Sequence, residues 1–156
     1  MSEQIVTPSE DAAPAPQHVI TTAENDWFLQ QLVTMVNGSS TSIGITLFVG
    51  GLLVSGVLIG GKQYFEDFAE SFASGIANPD DAKWYKENLT QLSNVYLEPD
   101  GTYKKSAEPP HYIHLKDART FHPSGNPIPG NGGTLWRGRI REVAGFTLGS
   151  LSISNS

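Results

Sequence analysis

The sequence predicts an α+β protein: a small, strongly bent antiparallel β-barrel with one helix before it and a helical insertion within it. Three observations carry that expectation. Two uncharged apolar runs flank Gly50-Gly51, a two-residue turn signal between strands. The last third of the chain alternates apolar and polar residues with the period of half-buried strands. Between these regions lie two stretches whose apolar residues recur at helical spacing. A single domain over residues 21–153 follows, with 62–110 as the helical insertion.

Residues 1–20 carry Pro8, Pro14, Pro16, Glu10 and Asp11 among small residues. Too little apolar surface is present to offset the entropy of ordering, so a disordered tail is expected. A first helix is predicted from Thr22 to about Val36. Thr21 and Glu24 have capping-box spacing, and Glu24 and Asp26 suit the positive end of the helix dipole. Phe28, Leu32 and Met35 recur at helical spacing beside Leu29, Val33 and Val36. Asn37-Gly38 is a stop signal, since glycine adopts the left-handed conformation at low cost.

Residues 41–61 admit two readings. The stretch is uncharged and contains Gly56 and Gly60 in GxxxG spacing, which by length and hydropathy fits a single membrane-spanning helix. Gly50-Gly51 at its centre, its β-branched residues and the alternation of Ile43, Ile45, Leu47 and Val49 favour a hairpin in soluble protein. Gly56 then falls mid-strand beside Ser55, where glycine marks the sharp bend of a small barrel.

A second helix is predicted over 62–74, with Tyr64, Phe65, Phe68 and Phe72 as an aromatic stripe and Glu66, Asp67 and Glu70 facing away. A third begins at Asn78-Pro79, with Asp80 and Asp81 in its first turn and Tyr85, Leu89, Leu92 and Tyr96 along one side. Glu98-Pro99-Asp100-Gly101 ends it as a turn. Tyr112–Phe121 reads as a strand with Ile113 and Leu115 on one face and Tyr112, His114 and Lys116 on the other. Residues 122–133, with three prolines and four glycines, read as a mobile loop. Leu135–Val143 and Phe146–Ile153 complete the β region, joined near Ala144-Gly145.

Composition narrows the function. A net charge of −6 with 10 Lys and Arg gives no broad footprint for nucleic acid or anionic lipid. The absence of cysteine excludes disulfides, zinc-thiolate sites and thiol catalysis. His111 and His114, three apart on a strand, point to opposite faces and cannot chelate one metal locally. No serine lies in a strand-turn-helix elbow, and Asp80-Asp81 and Glu66-Asp67 read as solvating, dipole-matching charges rather than catalytic pairs. Gly130–Gly133 is followed by no helix and lacks the context of a phosphate cradle. A non-enzymatic protein with no metal or cofactor is expected.

The concentrated feature is Arg137, Arg139 and Arg141. On one strand all three project from the same face, a comb of guanidinium groups suited to carboxylates on a partner, or else a solvated face paired with nearby acids. Trp136 and Ile140 then take the core face. With Tyr112, His114 and Lys116 these arginines form the candidate partner-binding surface; Trp136, Gly138, Gly50, Gly51 and Gly56 are candidate structural positions. The apolar side of the first helix and the stripe from Tyr64 to Phe72 exceed what one small barrel covers, so a homo-oligomer is expected.

Two stretches resemble the gas vesicle accessory family GvpU. One is Tyr112-Ile113-His114-Leu115-Lys116-Asp117-Ala118; the other is Trp136-Arg137-Gly138-Arg139-Ile140, continuing to Glu142-Val143, Gly145-Phe146 and Leu148-Gly149. The Ser55-Gly56 hairpin followed by Tyr64-Phe65 is similar too, whereas the tail and residues 78–110 match poorly. The resemblance implies a cytoplasmic, vesicle-associated binding protein whose partners are gas vesicle shell or accessory proteins, acting in assembly or clustering, without membrane or nucleic acid. The order of elements is also similar to the Sm-like (SH3-like) small barrel, which leaves an RNA-binding ring as an alternative; basic and aromatic RNA-stacking loops are missing.

Overall fold

The computed structural model describes residues 25–123 and 126–152. The expected tail and the capping box at Thr21 and Glu24 lie outside the described residues, and the last strand ends at Leu148 rather than running on toward Ile153. Helix α1 (Trp27–Asn37) leads into strands β1 (Ile43–Val49) and β2 (Leu52–Ile59). Helices α2 (Gly61–Ser74) and α3 (Pro79–Thr90) follow, then a 3-10 helix over Gln91–Tyr96. Strands β3 (Tyr112–Phe121), β4 (Thr134–Arg139) and β5 (Val143–Leu148) close the order, with a 3-10 turn at Ile140–Glu142 between the last two.

α1 starts at Trp27, five residues after the expected Thr22, because Asp26 is extended and caps it: its carboxylate accepts from the Phe28 and Leu29 amides at 2.9 and 3.1 Å. The helix ends at Asn37 as expected, but Gly38 is not left-handed: φ is −88°, and its amide bonds back to Thr34 while the Ser39 amide donates to Val36. Leu29, Val33 and Val36 are the buried side of α1. Residues 43–59 form the hairpin, not a spanning helix. Gly50 and Gly51 take φ of 57° and 81°, the doubly positive turn that matches strand twist. Among the described residues no helix is long and apolar enough to cross a membrane.

The five strands make one antiparallel sheet in the order β4-β3-β2-β1-β5. The β2–β3 register shifts between Ser55 and Val57, where β3 carries one extra residue between Lys116 and Arg119, a bulge that bends the pair. Gly56 is required there, because a Cβ would lie 2.8 Å from the Lys116 carbonyl oxygen and 3.0 Å from Ala118 Cα. Behind the bend, Ser55 and Thr46 share a buried hydroxyl pair at 2.9 Å, and the Leu151 amide donates to Ser55 Oγ at 2.7 Å. The core gathers between the sheet and α1 around Ile45, Leu47, Leu58, Ile113, Leu115 and Ile140, all fully buried.

The expected barrel is not closed: among the described residues β4 pairs only with β3, and β5 only with β1. The curvature is nonetheless strong. In a flat five-stranded sheet the outer strands are separated by four spacings, roughly 19 Å. Here Arg139 and Val143 are joined through three residues, which cannot bridge more than about 15 Å. The sheet therefore curls until its edges approach at that end, and Ile140 plugs the seam. The join between the last strands lies at Ile140–Glu142, four residues before the expected Ala144-Gly145; Ile140 keeps the expected core face and is fully buried, and the chain turns directly after it.

The insertion lies outside this core. α2 buries Gly61, Tyr64, Ala69 and Ala73, and the Gly61 amide donates to Asn37 Oδ1 at 2.9 Å, fixing α2 to the end of α1. Phe68 and Phe72 are on its more open side. α3 starts on an Asn78 cap with Pro79 in the first turn, as expected, and buries no residue. Its straight course ends at Thr90, where the chain tightens into the 3-10 helix. The loop before β4 is tied to β3 by paired Thr120–Ile128 backbone bonds of 2.8 and 2.9 Å.

Candidate functional site

The sequence-predicted surface falls on the β3–β4 pair. The register sets Tyr112 opposite Arg139, Ile113 opposite Gly138, His114 opposite Arg137 and Leu115 opposite Trp136. Strand alternation then sends Tyr112, His114, Lys116, Arg137 and Arg139 to one face and the core residues to the other. Trp136 packs on the core from that inner face, its ring lying where a Cβ on Gly138 would be. Glycine at 138 is what lets the indole lie flat along its own strand.

The outward face is partly roofed by α2, and this changes what its residues do. His114 is 1% exposed, not a surface residue, and its ring lies 4.5 Å from the Tyr64 ring centroid with Phe65 and Tyr96 around it. Arg137 Nε donates to His114 Nε2 at 3.2 Å. Since Nε2 accepts, the imidazole proton sits on Nδ1, which is buried without an acceptor. Burial, aided by the adjacent Arg137 charge, pushes the His114 pKa down to about 4, so the ring is neutral at pH 7. Burial also raises the Tyr64 and Tyr96 phenols, with Arg137 opposing the shift.

Arg137 is thereby a fixed cation. Its guanidinium lies 3.8 Å from the Tyr112 ring centroid and 5.9 Å from that of Phe65, geometry that adds cation–π attraction to the histidine bond. The residue remains exposed while Nε is tied inward. Arg139 is exposed and Lys116 half-buried, and neither forms an ion pair among the described residues. Arg141 is not on the strand: it sits in the turn over Ile140–Glu142, with Nε 3.4 Å from Glu142 Oε1. The three arginines thus do not form one comb, because the strand ends at Arg139.

A cavity of about 240 Å³ adjoins this face between α1, the 3-10 helix and the segment before β3. Tyr96 and Tyr112 are shared by both, and Lys104, Ser106, Glu108 and His111 line the rest. Sequence reasoning missed Phe65 and Tyr96 as walls of the site. Their aromatic spacing was visible, but no local signal says that α2 crosses β3 at His114. Among the described residues no group of three His, Asp or Glu side chains is placed to hold a metal ion.

Comparison with known proteins gives one match. The family model described as gas vesicle protein GvpU-like matches residues 26–151, from the α1 cap to just past β5. No curated protein matches the chain, and no solved structure does.

Proposed function

This chain belongs to the GvpU-like family of gas vesicle proteins, and on that premise we propose that it is a non-enzymatic accessory protein that binds gas vesicle proteins and influences vesicle assembly or clustering. The observation that carries the reading is the family match across nearly every described residue. The β3–β4 face supplies a means of binding. Arg137, held by His114 and Tyr112, and Arg139 beside it offer forked donors to carboxylates of a shell or accessory protein. An anchored guanidinium loses less entropy on binding than a free one.

The curled sheet supports reading the fold as a small Sm/SH3-like barrel opened at one seam. A homo-oligomer presenting several such faces would gain avidity through multivalency. The working location in this reading is the cytoplasm, at the vesicle.

Co-fractionation with purified gas vesicles tests the binding role. Replacing Arg139 with Gln is expected to weaken association several-fold while leaving unfolding unchanged, and added salt is expected to weaken the wild type in parallel. Unchanged association would return Arg139 to a solvent-facing role. Tight, salt-sensitive binding of single-stranded RNA lost in the same variant would favour an RNA-binding ring instead.

A further inference from the structure

α3 has no buried side. It runs for 12 residues and buries none of them, although a helix in a folded chain normally hides an apolar stripe. Trp84 is 58% exposed, and Tyr85 beside it is exposed too. α2, joined to α3 through residues 75–78, continues the same surface with exposed Phe68 and Phe72. The four rings are contiguous: Phe68 and Phe72 have centroids 6.1 Å apart, Phe72 and Tyr85 5.6 Å, and Tyr85 and Trp84 4.9 Å. Their open parts come to roughly 400 Å² of apolar surface, the size of the largest patch on a typical monomer.

The charge around these rings has one sign. α2 and α3 carry six acids and three lysines. Each lysine is already engaged within the two helices: Lys62 by Glu66 at 2.6 Å, Lys83 by Glu87 at 3.9 Å, and Lys86 by Glu70 across the pair. Asp67, Asp80 and Asp81 are left without a cation among the described residues. Helical spacing sets Asp80 one turn before Trp84 and Asp81 one turn before Tyr85, while Asp67 borders the row from Tyr64 to Phe68. An aromatic face is thus edged by three uncompensated carboxylates.

That edge selects the occupant. Nucleic acid or an anionic lipid surface would set phosphates against the aspartates, and the same face of a second copy would set aspartates against their equals. Helices offer no open backbone edge to a strand, whereas two packed helices present ridges and grooves that a third helix fits. We propose that the Phe68, Phe72, Tyr85 and Trp84 face receives one cationic amphipathic helix of another protein. Its apolar residues would lie on the rings and its Lys or Arg residues would meet Asp67, Asp80 and Asp81, with Trp84 and Tyr85 adding cation–π attraction. This goes beyond the vesicle-binding reading and uses different elements from Arg137 and Arg139.

The probe is a synthetic helix of 14 residues, the length of α2, with Leu at i, i+3, i+4 and i+7 spacing and Lys elsewhere. Its controls are a Glu-for-Lys counterpart and a scrambled Lys–Leu peptide without helical periodicity. Binding to the full chain is followed by NMR, where the indole signals of Trp27, Trp84 and Trp136 report on α1, α3 and β4 separately. The Lys helix should shift Trp84, leave Trp27 and Trp136 in place, and bind at least about tenfold more tightly than either control. Trp84→Ala should weaken it about tenfold, as truncation of a central aromatic contact does. Asp67→Asn, away from either helix end, should weaken it several-fold, and added salt should act in the same direction. Neither side chain belongs to the core, so urea midpoints should not move. No binding of the Lys helix at about 1 mM, equal binding of either control, or a shift at Trp27 in place of Trp84 overturns the proposal. So does a fall in the mass of the chain alone on Trp84→Ala, which would assign the face to a second copy.

Discussion

His114 couples the surface to the interior. It is buried as a neutral ring that accepts from Arg137, and the groups facing it are Arg137, Tyr64, Phe65 and Tyr96. Its pKa falls from 6.5 to about 4 on folding, so the unfolded chain binds more protons between those values. The stability that goes with the neutral form is fully present above pH 6.5 and is lost as pH falls toward 4. A shift of that size is worth about 3 kcal/mol at 1.36 kcal/mol per unit. Urea midpoints measured from pH 7 to pH 4 should fall accordingly, and His114→Gln should flatten that dependence. An equally steep curve in the variant would assign the slope to other groups.

At the level of elements, the bulge where β3 crosses Gly56 sets how the sheet bends. Ser55 and Val57 bracket a bulge at which β3 approaches too closely for any side chain at residue 56. The obstructing atoms are backbone, so an added methyl can only be accommodated by moving a strand. Gly56→Ala should therefore cost about 1–3 kcal/mol, the usual range for overpacking, read as a lowered urea midpoint. Because β3 carries Tyr112 and His114, the variant should also disturb the stacked Arg137, visible as altered Tyr112 ring signals by NMR. A variant as stable as the wild type would mean that the sheet can straighten there. The insertion behaves differently. α3 rests mainly on α2 through Phe72–Tyr85 ring contact and the Lys86–Glu70 ion pair, outside the core, so changes on its open side should leave the sheet intact.

For the whole molecule, the proposed self-association and the proposed partner binding would rest on different forces. Exposed apolar side chains, Trp27, Phe28 and Met35, dominate the open side of α1, whereas arginines dominate the β3–β4 face. Light scattering at tens of micromolar should give a mass above the 16.9 kDa of one chain, little changed by about 0.5 M salt, which screens charge but not apolar contact. The same salt should loosen association with vesicles. A strict monomer at that concentration would leave the α1 stripe without an occupant.

The sequence by itself determined the elements. Gly50-Gly51 specified its hairpin because two successive positive φ values are cheap only for glycine. Asn78-Pro79 specified the start of α3, and the alternation of Tyr112–Phe121 specified β3 to the residue. Each of these is a local signal read within a few residues. What depended on contacts between distant segments was not legible. Both sides of α1 are apolar, and only packing against the sheet decided that Leu29, Val33 and Val36 go inward while Phe28 and Met35 stay out. His114 looked like a surface residue until α2 crossed it. Arg141 left the strand because the chain turns over Ile140–Glu142 to reach β5. The open seam itself was decided last, by a three-residue link that brings two edges close without aligning them to hydrogen-bond. Backbone preference acts over neighbouring residues, whereas burial depends on where the rest of the chain lies, so the first can be read from sequence and the second needs the fold.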